Sequence, residues 1–388
     1  MKKSKLNRRK FFTLLGAGGA VLAMQPVGAM TPGQPQDKAK PATNISDAQK
    51  VPRIAASMPG KFPGKVVLVK DPRSVADDVP VEGIAYLMLQ KSMLELTGEK
   101  NLKKAWRTFV KPGEKIGLKV NPVAGKLLST SHAVVQSVVK QLTESGIDRR
   151  EIVIWDRRAM ELADVGFTAD NYPGITIRGT ECRDENGSFY DVNGKLYGEQ
   201  NIDREWYYWA DVEGEYDAET MPYMVNGGKF SYFTTIVTRE LDKIINIPIL
   251  KNAGGSVTNA MKNLAFGSVS NTGRLHEQLW NDTCAEVCAF SPIRDKVVLN
   301  ISDGLRGCFN GGPAANPQFI CNYHTLLVSS DPVAMDRIAY DIVAAKRIEE
   351  GLQKAPAPES LTFLKMAAAL GLGIADIEGI DLRSFSLG

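Results

Sequence analysis

At 388 residues, 44% hydrophobic and 23% charged, the chain is long enough to bury one large core or two. It has 47 basic and 44 acidic residues. Six of the basic ones, and no acid, precede Ala29, so without that segment 41 basic face 44 acidic residues and the net charge turns from +3 to −3. The positive total therefore gives no argument for a nucleic-acid partner.

The first 29 residues set themselves apart. Ser4–Phe12 reads SKLNRRKFF, Phe11–Met24 is a short Gly/Ala-rich apolar stretch, and Val27-Gly28-Ala29 offers a small-residue cleavage site. This pattern is that of a twin-arginine export signal. It implies recognition by the twin-arginine export machinery, a periplasmic or secreted location, and no stable membrane span after cleavage. Residues 30–61, rich in Pro, Ala, Gln and Lys, read as a flexible tether, leaving 62–388 as the folded domain.

Lys65–Val69 predicts a strand, Glu82–Thr97 a helix with Ile84, Leu87, Met88, Met93 and Leu94 at helical spacing, and Leu102–Phe109 a second helix. A strand at Lys115–Val120 leads through a polar loop into a helix from Ala133 to Ser145. Gly146 ends that helix and Glu151–Trp155 follows as a strand, so the whole reads as a βαβ unit with parallel pairing. Arg158–Val165 predicts a short helix and Ile175–Arg178 a strand. From Arg183 to Glu219 eleven acids face three bases among seven Tyr and Trp residues, with Asn-Gly turns at 186–187 and 193–194, which predicts an inserted, aromatic-rich β subdomain.

Lys243–Gly267 then reads as a buried strand, a loop with Gly254-Gly255, and a helix capped by Ser256 or Thr258. Glu277–Phe290 predicts a helix, and Lys296–Ile301 a strand ending in Ser302-Asp303-Gly304. A Gly-rich loop follows, then a strand at Thr325–Val328, a helix capped around Asp331-Pro332, and a last helix at Ser360–Leu370. The expected fold is α/β: a mostly parallel sheet flanked by helices, in two lobes, with the β insertion at about 183–219.

In such sheets ligands bind beyond the carboxyl ends of the strands. That rule gathers Lys119, Asn121, Thr130, Ser131, Asp156, Ser256, Thr258, Lys262, Asn263, Asp303, Gly311, Gly312 and Asp331 as ligand-binding candidates, with His132, Lys251 and His276 as catalytic ones. Lysines at strand ends need an anion or water, glycines let a ligand approach the backbone, and a histidine moves protons near neutral pH. Asp331 reads most simply as a helix cap, and Asp156 and Asp303 serve equally well as loop caps. The third histidine, His324, precedes a strand and reads as structural. No Walker A loop, G-x-S-x-G elbow, dinucleotide fingerprint or H-E-x-x-H pair is present in a suitable place.

The five cysteines are Cys182, Cys284, Cys288, Cys308 and Cys321. One bridge between Cys308 and Cys321 would close a Gly/Pro-rich loop, while Cys284 and Cys288, one helical turn apart, suit a shared metal better than a disulfide. Without a close C-x-x-C pair, free thiols, one disulfide and a metal site all remain open.

Several segments together resemble the family called domain of unknown function 362. They are the strand-end Lys119 and Asn121 followed by Thr130-Ser131-His132, NIPILKNAGGSVTNAMKNLAFG, SDGLRGCFNGGP and LLVSSDPVAMDRIAYDIV, spanning about Lys65 to Arg347. Some members of that family carry a fused ferredoxin-type cluster domain, whose close cysteine run this chain lacks. The family pattern also implies a histidine shortly after the strand-end lysine, whereas Lys251 is followed by Asn252-Ala253-Gly254. More loosely, the layout is similar to the lactate racemase family, which uses a nickel-pincer nucleotide; no cofactor is assigned from it. The sequence reading is thus an exported protein that binds a small anionic ligand or cofactor, an enzyme of undefined reaction. The alternatives are a non-catalytic periplasmic binding or maturation partner and a metal or iron–sulfur redox protein.

Overall fold

A computed structural model describes residues 40–213, 228–254 and 256–388. The export signal, the first part of the tether, the end of the β insertion and Gly255 lie outside the described residues. Residues 41–388 form one compact unit, and the two lobes expected from sequence share one sheet within it.

The elements used below are, in chain order, α1 (Ile45–Lys50), β1 (Lys65–Lys70), α2 (Glu82–Thr97), β2 (Ile116–Lys119), α3 (His132–Glu144), β3 (Ile152–Arg158), β4 (Thr176–Glu181), β5 (Ile202–Trp209), β6 (Phe230–Thr234), β7 (Lys243–Asn246), β8 (Ile249–Ala253), β9 (Ser256–Thr258), α4 (Ala260–Ser268), α5 (Trp280–Ala289), β10 (Val297–Cys308), β11 (Ile320–Ser329), α6 (Pro332–Glu349), α7 (Thr362–Ala369) and β12 (Asp381–Ser386).

The main sheet has ten strands. Its order is β12-β1-β11-β10-β7-β2-β3-β4, with β8 paired to β10 and β9 to β8. Pairing is parallel throughout except where β11 meets β1 and β10 and where β8 meets β9. The β2–α3–β3 unit forms with parallel pairing, as its sequence predicts. Both faces are covered, so strands read as near-continuous apolar runs. Ile152, Ile154 and Ile245 pack into the core that also holds α2 and α3, and Val153, Trp155 and Ile244 into the core that holds α4, α5 and α7.

Three expectations change, and the alternatives left open for Cys308 and Cys321 narrow to free thiols. The supposed tether is anchored from Pro41 on: α1 forms there, Thr43 bridges to Ala210, Met58 is fully buried and its N–H donates to the Arg294 carbonyl. Short anchors of this kind leave no periodic signal. Pro248 splits the strand of Lys243–Leu250, and the chain resumes as β8 and turns back as β9, so Lys251 and Asn252 lie inside a strand rather than in a loop. The strand expected to stop at Ile301 runs on to Cys308 through an irregularity between Gly304 and Arg306. Cys308 and Cys321 are free thiols: Cys308 pairs with Ile320 and Gly307 with Cys321, so the two side chains leave opposite faces of the sheet. In the aromatic insert β5 forms a separate antiparallel pair with β6, which lies beyond the expected end at about 219, and Phe189, Leu196 and Ile202 cluster with Tyr232 of β6.

Candidate functional site

The split at Pro248 makes the site. β7 pairs with β2 on one side and β10 on the other, but β2 ends at Lys119 while the chain of β7 continues as β8. Beyond the end of β2 the sheet therefore opens a notch, and α4 fills its back. All nine residues of α4 are buried, so a helix with little polar surface carries Lys262 and Asn263 into the interior.

A cavity of about 130 Å³ lies in the notch. It is lined by Lys119, Asn121, Asp156, Lys251, Thr258, Lys262, Asn263 and His276, all singled out from sequence, and by Val123, Arg157, Glu161, Phe266, Gly267, Thr272 and Pro313. Past Lys262, His276 and Pro313 it continues into a space of about 400 Å³ bordered by Ser256, Gly312, Trp280, Asn281 and Glu359.

The three lysines have different surroundings. Lys119, fully buried, forms an ion pair with Asp156 and donates to the Val120 carbonyl (2.8 Å) and to Asn263 Oδ1 (3.1 Å). Burial lowers its pKa, and Asp156 opposes that shift. Gly267 makes room for this pair, because a Cβ there would stand 2.5 Å from the Lys119 Nζ. Lys251, 1% exposed, donates to Asn121 Oδ1 at 3.3 Å. Burial first, and Lys262 second, bring its pKa down to about 7. Lys262, 5% exposed, has no hydrogen-bond partner for its Nζ among the described residues. It stands 5.5 Å from the Phe266 ring centre and 5.6 Å from that of Trp280, and burial lowers its pKa to about 8.

An asparagine network fixes the frame. Asn121 Nδ2 donates to Asn263 Oδ1 (2.9 Å), Asn263 Nδ2 to Asn246 Oδ1 (2.8 Å), and Asn246 Nδ2 to Asn300 Oδ1 (3.0 Å). His276 packs against Phe266 with ring centres 4.5 Å apart and the planes tilted by 50°, and it donates through Nδ1 to the Thr272 carbonyl (3.1 Å). One side of it is exposed; desolvation of the rest, and Lys262, push its pKa down. Arg157 donates to Thr272 Oγ1 and pairs with Glu181 at 3.6 Å.

The other candidates do not line the notch itself, though Ser256 and Gly312 border its continuation. Ser256 does not cap α4; its hydroxyl donates to the Ser360 carbonyl (2.6 Å), and the α4 N-terminus is held by Asp336, whose carboxylate accepts from the N–H groups of Ala260 (2.7 Å) and Met261 (2.9 Å). The first backbone donors of α4 are therefore taken by the protein's own carboxylate. Asp331 caps α6 and also accepts from Gly64 and Ile374 N–H, so both its oxygens serve the backbone. Thr130 is saturated between Asn121 N–H and the Ile247 carbonyl. Ser131, His132 and Asp303 border a separate cavity with Lys126 and Arg306. There His132 Nε2 donates to the Val165 carbonyl (2.9 Å) and Nδ1 shares a hydrogen bond with the Tyr172 hydroxyl (2.7 Å), so both ring nitrogens are engaged by the protein. Gly311 has a left-handed φ of 75°, and a Cβ on Gly312 would collide with the Asn252 carbonyl, so these glycines shape the loop over β8. Arg157, Glu161, Phe266, Gly267 and Trp280 escaped the sequence reading. Arg157 adjoins Asp156 at a strand's carboxyl end, which is a usable signal; the others leave none.

A mostly parallel α/β sheet with a lysine-lined notch at its carboxyl edge is the class that fold and site define. The chain belongs to the family described as Domain of unknown function (DUF362), whose model matches residues 116–341 and so contains every residue of the notch. No curated protein matches at a significant level. Among solved structures, a protein from Thermotoga maritima is similar at 10% identity and a TM-score of 0.37, covering 71% of this chain and 60% of that one. The lactate racemase apoprotein from Thermoanaerobacterium thermosaccharolyticum is similar at 9% identity and a TM-score of 0.35, covering 76% and 59%. The chain thus spans about three fifths of each, and both likenesses are loose.

Among the described residues no helix is long and apolar enough to cross a membrane, and no three His, Cys, Asp or Glu side chains are grouped so as to hold a metal ion.

Proposed function

We propose that the notch binds a small organic anion, a carboxylate or a phosphate, in a protein exported by the twin-arginine route. The observation that carries the reading is Lys262: a buried ammonium at a cavity wall, with no hydrogen-bond partner among the described residues. Such a group costs several kcal/mol unless something completes it, and Arg157 on the same cavity adds to the attraction for an anion. Export rests on Arg8-Arg9 and the Gly/Ala-rich stretch after it.

The test is thermal unfolding in phosphate and in a series of small carboxylates. At least one anion should raise the melting point by about 3–8 °C at saturation, and Lys262→Met should abolish the rise. No shift with any anion overturns the reading. Replacing Arg8 and Arg9 by lysine should hold the protein in the cytoplasm, read by cell fractionation.

A further inference from the structure

We infer that Lys251 is a nucleophilic amine, and that the ligand is a small carbonyl compound bearing a carboxylate or phosphate, a short 2-oxo acid being the simplest case. The inference rests on the anion reading above and adds a covalent step to it.

The geometry separates the three lysines by task. Lys119 is tied up by Asp156, the Val120 carbonyl and Asn263. Lys262 lies over two aromatic rings, which favour its charged form and suit it to hold an anion. Lys251 faces the same cavity with one long contact to a neutral amide oxygen, Asn121 Oδ1 at 3.3 Å, and no carboxylate within ion-pair distance among the described residues. A desolvated amine beside a second cation is the arrangement that frees a lysine lone pair near neutral pH, and the depressed pKa of Lys251 agrees. The cavity of about 130 Å³ around Lys251 admits a compact molecule beside the amine.

The step balances without an added oxidant or reductant. The Lys251 nitrogen attacks the carbonyl carbon, the C–N bond forms, and the carbonyl oxygen takes a proton to give a carbinolamine. Loss of water gives the protonated imine, and water reverses the sequence. Glu161 and His276, on the wall of the same cavity, are the groups placed to carry the proton.

The test uses the full chain, glyoxylate and sodium cyanoborohydride, with the adduct located by peptide mass mapping. Lys251 should be modified at least about 10-fold faster than any exposed lysine, since burial and the neighbouring Lys262 bring its pKa down to about 7. Lys262→Met should slow glyoxylate more than acetaldehyde: both lose the second cation that helps to free the Lys251 amine, and only glyoxylate also loses the partner for its carboxylate. Mapping the wild-type adduct decides the site even where Lys251→Arg folds poorly. Adducts on exposed lysines with none at Lys251 overturn the inference. Stabilisation by anions without an adduct overturns it too and leaves the anion site standing. An adduct at Lys251 in a protein that no anion stabilises supports the amine chemistry and removes the anion reading instead.

Discussion

Two corners of the same sheet edge are built from similar residues and end in opposite states. Around His132, Thr130 is bonded on both sides, Asp303 accepts from the N–H groups of Ser131 (2.7 Å) and Leu305 (3.2 Å), and both imidazole nitrogens are used. Around Lys262, the Lys262 Nζ and the Thr258 hydroxyl are buried with no partner among the described residues, and Lys251 has one long contact. Buried polar groups are satisfied in the great majority of cases. The first corner is mostly architecture, though the Arg306 Nε there also lacks a partner among the described residues; on the reading proposed above, a ligand completes the second.

The largest expected effect comes from breaking the support beneath the unsatisfied corner. Gly267→Ala places a methyl group against the Lys119–Asp156 pair, at 2.5 Å from Nζ and 3.2 Å from Oδ1. Both ends of the pair are buried, so separating them leaves charges without compensation at about 3–5 kcal/mol. The better helix propensity of alanine returns only about 1 kcal/mol. Denaturant unfolding should show a net loss of about 2–4 kcal/mol, and a loss under about 1 kcal/mol would mean that the pair can move aside.

Lys251 sharpens the comparison through pH. Its pKa falls from 10.5 to about 7 on folding. Between those values the unfolded chain holds a proton that the folded protein does not, so stability rises with pH across that window; below about 7 both states are protonated and the penalty is full. Lys251→Met should therefore stabilise the ligand-free protein by about 2–4 kcal/mol at pH 6, with the gain shrinking as pH approaches 10. The difference between variant and wild type is the quantity to read, because Asp336, pushed by burial up to about 7, titrates in the opposite sense. Its folded pKa is raised, so it contributes stability that is lost as pH rises from about 4 through 7. A gain that does not change with pH would place the Lys251 amine in contact with water.

How much of this was legible depends on whether the signal was local. The β2–α3–β3 unit was readable because apolar runs, a polar loop and Gly146 follow one another directly, and Lys119 and Asp156 stand where the strand-end rule puts them. Lys262 and Asn263 were found by their place after the glycine turn, though the capping was wrong. The carboxylate at the α4 N-terminus comes from Asp336, 76 residues away, and no local pattern announces it. Ser302-Asp303-Gly304 has the composition of a loop but is held in β10 by β11 on one side and β8 on the other, so tertiary pairing overrode propensity. β12, with its mostly exposed DLRSFS, has no apolar run to betray it; it forms because β1 offers a parallel edge.

The smallest effect tests the saturated corner. His132→Phe keeps a ring against Phe167, now 4.7 Å from the imidazole centre, and removes the bonds to the Val165 carbonyl and the Tyr172 hydroxyl. Leaving two largely buried groups unpaired costs about 1–3 kcal/mol, which a melting curve resolves as a drop of a few degrees. Whatever anion stabilises the wild type should stabilise this variant by the same increment, because His132 borders a different cavity from Lys251 and Lys262. If the increment disappears while the protein still unfolds cooperatively, the two corners are coupled through Asn121, which accepts from Lys251 with its side chain and donates its backbone N–H to Thr130. The division between architecture and site would then have to be drawn on the far side of His132.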